Sequence, residues 1–286
     1  MIKNLSMVLG CILSLKPTAY ISLFYRFIAI IFIPLDLFLY AVENLYFNKI
    51  RKKLKEPKLI FIIGSHRTGT TFFAQSLCLN SKFDNLSNFQ LIFKRSTFFS
   101  NLLKINIKNI FFKNFYGQSF RLSDIGDLNE FWNYHLKLND NEYIPGNIRI
   151  DSSIKYFIKR YYSYNKKPII IKSGRNLFII KKLSKLFSNS FFVIIDRDNT
   201  KIIKSLSKAK SIFFNYDWGL KIKDDKKFYD YSLLKKNLLI KKMISEQIKT
   251  IDKNRYLKIN FEDFLKNDKK IIKKTKKKIN EFFYQT

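Results

Sequence analysis

An α/β domain with a mostly parallel central sheet is what this sequence predicts, preceded by an apolar helical segment. Three observations carry the expectation. Short apolar runs, rich in β-branched and aromatic residues, recur at 59–63, 169–171, 191–195 and 256–261. Where such a run lacks polar alternation it reads as a strand covered on both faces. Stretches with a helical period separate these runs, and such alternation builds a parallel sheet between two helical layers. Finally, the first run, Leu59-Ile60-Phe61-Ile62-Ile63, passes directly into a glycine-bounded polar loop and then a helical stretch. Residues 1–57 and 58–286 are therefore expected to form an N-terminal apolar unit and the α/β domain.

The loop reads Gly64-Ser65-His66-Arg67-Thr68-Gly69-Thr70-Thr71. A strand, such a loop and a helix N-terminus together make a phosphate cradle. The glycines let successive N–H groups turn inward, the helix end adds partial positive charge, and the threonine hydroxyls add donors. The pattern G-x-x-x-x-G-K-[ST] of nucleotide triphosphatases is nearly met, but Thr70 stands where that pattern has lysine. The only cation in the loop is Arg67.

This spacing resembles the 5′-phosphosulfate loop of sulfotransferases, whose typical forms read P-[KR]-S-G-T-T, and is nearest to the bacterial branch with arginine in the loop. His66 stands where the family usually has proline. Lys172-Ser173, at the end of the run 168–172, resembles the family's strand-terminal lysine; the histidine found shortly after it in many relatives is replaced by Gly174-Arg175-Asn176. Phe191 to Ile195 then leads into Asp196-Arg197-Asp198-Asn199-Thr200, with Ser205 eight residues after Arg197. That matches the family's 3′-phosphate element. A guanidinium at a strand end can grip phosphate with two donors, and a serine on the following helix can face the same group. Arg255 to Phe264 resembles the family's C-terminal R-Y-x-x-V-x-Y-E-D-L element, where Glu262 and Asp263 would serve as capping or ion-pair residues.

The resemblance, over roughly 58–268, implies a three-layer, P-loop-like fold and transfer of a sulfuryl group from 3′-phosphoadenosine 5′-phosphosulfate (PAPS) to a hydroxyl or amine, with no metal required. It assigns Ser65, Arg67, Thr68, Gly69, Thr70, Thr71, Arg197 and Ser205 to the cofactor, and puts Arg67 and Lys172 beside the transferring group. The base is open. Glu130, in the acidic segment 120–145, is the first candidate and His66 the second; a carboxylate raised by burial suits the role. Asp127 reads as the cap of a helix whose third residue is Glu130.

Before the loop, Ala19 to Tyr40 is strongly apolar but interrupted by Arg26, Pro34 and Asp36. Three readings stay open: a membrane span, a helix lying on the membrane, and a helix packed on the domain. The basic residues Arg51, Lys52, Lys53 and Lys55 would keep the domain on the cytoplasmic side. The net charge is +32, but the lysines are spread along the whole chain. We read most of that charge as compositional bias, with some positive field over the cofactor site; nucleic acid is not an expected partner. Cys11 and Cys78 give no disulfide framework, and two histidines give no zinc spacing.

Further expectations are an amphipathic helix from Asn176 to Phe187, two helices in 211–250, irregular aromatic helices in 80–118 and a basic edge helix in the tail. The acceptor is expected to be a carbohydrate, a lipid or another hydroxyl carrier. A P-loop kinase, with Asp196 holding magnesium, is the second reading, and a non-enzymatic basic membrane or nucleic-acid binder the third.

Overall fold

The structure is a computed structural model. It describes residues 8–9, 12–13, 15, 17–79, 82–103, 114–115, 118–119, 122–127, 129–137, 150, 152–212, 228 and 230–284. Two helices, α1 (Pro17–Ile31) and α2 (Ile33–Ile50), precede the sheet. The domain then runs β1 (Leu59–Ile63), α3 (Thr70–Cys78), β2 (Asp84–Asn85), α4 (Phe89–Ile92), α5 (Thr97–Leu102), a two-stranded hairpin of β3 (Asn114–Phe115) and β4 (Gln118–Ser119), α6 (Asn129–Leu136) and α7 (Ser152–Asn165). It continues with β5 (Ile169–Lys172), α8 (Ile180–Leu186), β6 (Ser190–Asp196), α9 (Asn199–Ile212), α10 (Leu233–Ile248), β7 (Tyr256–Asn260), α11 (Phe261–Lys266) and α12 (Asp268–Tyr284).

The five-stranded sheet has the order β2-β5-β1-β6-β7, and each of its pairings is parallel. β1 is central, with Ile60 opposite Ile170 on one side and Phe191 on the other. Its five residues are all buried because it is covered on both faces. Side chains alternate between two cores. Leu59, Phe61 and Ile63 join Trp132, Ile158, Leu183 and Ile244 from α6, α7, α8 and α10. Ile60 and Ile62 join Phe73, Leu77, Phe264 and Ile279 from α3, α11 and α12. The expected three-layer α/β architecture is thus present, with β2 as an additional strand.

Two local expectations need correction. The single helix from Asn176 to Phe187 is divided into a 3₁₀ turn at Asn176–Phe178 and α8. The reason is packing: Leu177, Phe178, Ile179 and Ile180 are all buried, and four successive side chains cannot share one face of a continuous helix. Of the two helices expected in 211–250, α10 is present; the turn at 216–219 lies outside the described residues, as do Phe111 and Phe112.

The N-terminal segment is bent by 60° between α1 and α2. Pro34 sits in the first turn of α2, where its ring removes one N–H and crowds the carbonyl four residues earlier. The acid that interrupts the apolar run, Asp36, turns inward. Its carboxylate accepts from the Ser96 amide (3.0 Å) and hydroxyl (2.7 Å) and pairs with Arg95 at 3.1 Å. Two turns further on, the buried Glu43 accepts from the Phe99 amide at 2.9 Å and pairs with Arg160 of α7 at 3.5 Å. Together these acids satisfy amides at the start of α5, which its own sequence leaves uncapped. α2 is therefore packed on the domain through a polar, paired face.

Candidate functional site

The loop after β1 meets the ends of β5 and β6 at the carboxyl edge of the sheet, where open α/β sheets hold ligands. Two residues of the loop are left-handed: Arg67 at φ 67° and Gly69 at φ 88°. Glycine pays little for this and arginine does not, so the backbone at Arg67 is held by its surroundings. A Cβ on Gly64 would lie 2.5 Å from Thr68 Oγ1 and 2.8 Å from the Ile195 carbonyl oxygen, and one on Gly69 would run into the Phe261 ring. Thr68 closes the loop by donating to the Ser65 carbonyl at 2.7 Å. α3 then starts at Thr70 with no acidic residue in its first turn, so the positive end of the helix faces the loop undiminished.

The arginines of the two separate motifs interlock. Arg197 Nη1 donates to the Arg67 carbonyl at 2.9 Å, and Arg67 Nε donates to Ser205 Oγ at 2.9 Å. The Arg197 guanidinium also lies 5.0 Å over the Phe261 ring and 3.7 Å from Glu262. Glu262 pairs with Lys201 at 3.5 Å as well, while the side chain of Asn260 caps α11 by accepting from the Asp263 amide.

From the β5 side, the buried Lys172 reaches Asp127 at 3.1 Å, and the Gly174 amide donates to the same carboxylate oxygen at 3.0 Å. Asp127, two residues before α6, thus has its carboxylate turned into the cleft toward β5. Burial pushes the Asp127 carboxyl up. The Lys172 ammonium, with help from the Gly174 amide and His66, outweighs burial and holds its pKa below the ordinary value. His66 sits beside this pair. Burial pushes its pKa down to about 4, with Asp127 opposing and the charges of Arg175, Lys172 and Arg67 adding, so the imidazole is neutral at pH 7. Arg175 is fixed by donating to Asn133 of α6 at 2.7 Å.

These groups line a cleft of about 210 Å³ whose wall includes Ser65, His66, Arg67, Thr70, Lys172 and Arg197. Thr71, Gly69 and Asp127 line it too. Ser205 touches it only through Arg67. Glu130 is in the first turn of α6, but its side chain lies outside the described residues. Asp127 was the residue sequence reasoning missed; an aspartate two residues before a helix looks the same whether it caps or pairs. Asp196, the proposed magnesium carboxylate of a kinase, is outside this cleft, two-thirds exposed and paired with Lys241 at 2.7 Å. Among the described residues no group of three or more His, Cys, Asp or Glu is placed to hold a metal ion.

Three cations, one carboxylate, a helix N-terminus and a glycine-hinged loop at the carboxyl edge of a parallel sheet make a site whose charge complements an anionic group. The chain belongs to the sulfotransferase family, whose model matches residues 57–277. Its fold is similar to that of sulfotransferase STF1 from Mycobacterium tuberculosis H37Rv, with a TM-score of 0.53 at 13% identity, covering 86% of this chain and 72% of that one. Sulfotransferase STF9 from Mycobacterium avium is similar at a TM-score of 0.56 and 11% identity, covering 83% of this chain and 68% of that one. No curated protein matches the chain in sequence.

Proposed function

We propose that the chain moves a sulfuryl group from PAPS to a hydroxyl or amine of an acceptor, a carbohydrate or lipid being the expected class. The observation that carries this reading is the interlock of Arg67, Arg197 and Ser205, which brings together motifs 130 or more residues apart. The residues suit the donor. The Gly64 cradle leaves no room for a side chain, and Arg67, Thr70, Thr71 and the loop amides would hold the 5′-phosphate and bridging oxygen. Arg197 and Ser205 would hold the 3′-phosphate.

The donor supplies an activated sulfur–oxygen bond. The acceptor oxygen bonds to sulfur as the bond from sulfur to the 5′-phosphate oxygen breaks. Arg67 and Lys172 stabilise charge on the leaving oxygen and the sulfuryl oxygens. Such transfers, like phosphoryl transfer, depend on positioning more than on nucleophile strength, so a weak base suffices for the acceptor proton. Asp127 lines the cleft next to Lys172 and is ionised at neutral pH; we assign the proton to it, with Glu130 and the neutral His66 as the other candidates.

Calorimetry tests the cofactor. Adenosine 3′,5′-bisphosphate should bind without metal and more tightly than magnesium–ATP, and Arg197→Ala should weaken it about 10- to 100-fold, as expected for a lost charged hydrogen-bond partner. Preference for magnesium–ATP would overturn the reading. Asp127→Asn should lower bisphosphate release, with an added alcohol as acceptor, by about 100-fold or more, while bisphosphate affinity stays near the parent value. Undiminished release would remove Asp127 as the base.

A further inference from the structure

The second N-terminal helix is built inside out. In α2 the residues that face the domain at helical spacing are Asp36, Glu43 and Phe47, with both acids only 1% exposed. The opposite stripe is Leu35, Phe38, Val42, Leu45 and Tyr46, with Phe38 64% and Leu45 73% exposed. These positions recur at intervals of three and four, so they share one outward face. α1 carries a second outward stripe of Tyr20, Phe24, Phe27 and Ile31 at the same spacing. Solvent-facing apolar residues scattered singly need no explanation, but two continuous aromatic and aliphatic stripes on adjoining helices do.

Charge identifies what covers them. Within 17–55 the acids are Asp36 and Glu43, and both are buried against Arg95 and Arg160. The exposed ionised side chains described in this stretch are all basic: Lys49, Arg51, Lys52, Lys53 and Lys55. An apolar face with a cluster of exposed cations at its C-terminal end, where the exposed acid Glu56 is paired with Lys155 at 2.9 Å and Lys159 at 2.7 Å, complements the acyl and headgroup layers of an anionic bilayer. A crossing orientation conflicts with the packing. Among the described residues no single helix is long and apolar enough to cross; the bent pair Leu23–Ile31 with Ile33–Lys53 is so by length and composition, but α2 is tied to the domain by its buried ion pairs with Arg95 and Arg160.

We propose that α1 and α2 form a docking surface that lies in the interface of an anionic membrane, apolar stripes inward, and so hold the cleft next to lipid-borne acceptors. This decides among the three sequence readings in favour of a helix that both lies on the membrane and packs on the domain. It is independent of the identity of the donor. On the cytoplasmic face, the anionic leaflet would supply the complementary charge.

Co-sedimentation of the full chain tests it, with vesicles of phosphatidylcholine alone or mixed with phosphatidylglycerol. Binding should favour the mixed vesicles and weaken with salt, because surface charge is screened. The pair Lys52→Glu and Lys53→Glu should cut binding to the mixed vesicles by about tenfold or more, given roughly tenfold for each kilocalorie and a half and about a kilocalorie per basic residue. Phe38→Ser with Leu45→Ser should cut binding to both vesicle types. Leu45→Trp, a substitution at an exposed site, should show a blue-shifted emission on adding mixed vesicles; an unshifted spectrum overturns the proposal even where the serine variants fail to fold. So would equal binding by a folded serine variant, retention in membranes after alkaline carbonate extraction, or a dimer in light scattering that Phe38→Ser dissociates.

Discussion

The carboxyl edge of the sheet and the N-terminal helix pair both set ionised side chains against an apolar scaffold, and they balance those charges oppositely. Around the cleft, Arg67, Lys172 and Arg197 share the wall with one carboxylate, Asp127. In the helix pair, each buried acid meets an arginine and backbone amides: Asp36 with Arg95 and Ser96, Glu43 with Arg160 and Phe99. A cationic surplus at a helix N-terminus is completed by an anionic ligand, so its value appears on binding. A matched set completes itself, so its value appears in the fold. Substitutions in the first region should therefore change chemistry with little effect on stability, and those in the second should do the reverse.

The largest expected effect is on the helix pair. Arg160 is buried, pairs with Glu43, bonds to Asn44 and lies 4.1 Å over the Tyr156 ring. Arg160→Ala empties a buried site and leaves Glu43 without its cation, so that the acid takes up a proton at neutral pH; the loss should be about 2–5 kcal/mol. Denaturant unfolding at neutral pH measures this. A loss under about 1 kcal/mol, the range of an exposed pair, would mean that α2 is not seated as described and would blur the contrast between the regions.

Next comes Arg67→Gly, which addresses the cleft. Turnover should fall by about 10²- to 10³-fold, the scale for removing one group that stabilises developing charge. Stability should stay within about 1 kcal/mol of the parent, because glycine relieves a left-handed backbone that costs arginine about 1–2 kcal/mol and offsets the lost Ser205 bond. A large drop in unfolding free energy would show that Arg67 is a structural link between β1 and α9 and not chiefly a ligand group.

The two regions also differed in how far the sequence disclosed them. The strands 59–63, 169–172 and 191–195 were legible because a strand covered on both faces must be a continuous apolar run, and the loop was legible because its glycines and arginine are contiguous. β2 escaped because Asp84 and Asn85 form a two-residue polar edge with no such run. Asp127 was read as a cap, since helix capping and ion pairing use the same residue type and only the fold brings Lys172 to 3.1 Å from it. The inverted helix α2 was the hardest. Asp36 in the apolar run Ala19–Tyr40 looks like a flaw in a membrane span until Arg95, far along the chain, is seen to meet it, as Arg160 meets Glu43 just beyond the run. Long-range charge pairing leaves no local pattern to read, whereas strand burial and loop chemistry do.

The smallest expected effect is the pH dependence that Glu43 adds in the helix pair. Burial raises the Glu43 pKa from 4.5 to about 7, with the Phe99 amide and Arg160 only partly opposing it. Between these two values the folded chain holds a proton on Glu43 that the unfolded chain has released. Stability contributed by this group is therefore full below about pH 4.5 and declines as the pH rises toward about 7. Glu43→Gln should remove that slope, so the difference in unfolding free energy between parent and variant should shift with pH across this window in the variant's favour. Lys172 and Asp127 show why the same slope is not expected from the cleft. There the carboxyl is held below its ordinary pKa, so its contribution is fully present at neutral pH and declines only in acid. A variant whose stability tracks the parent at every pH would place Glu43 in an environment no drier than water, and the two regions would then no longer differ in how they hold their acids.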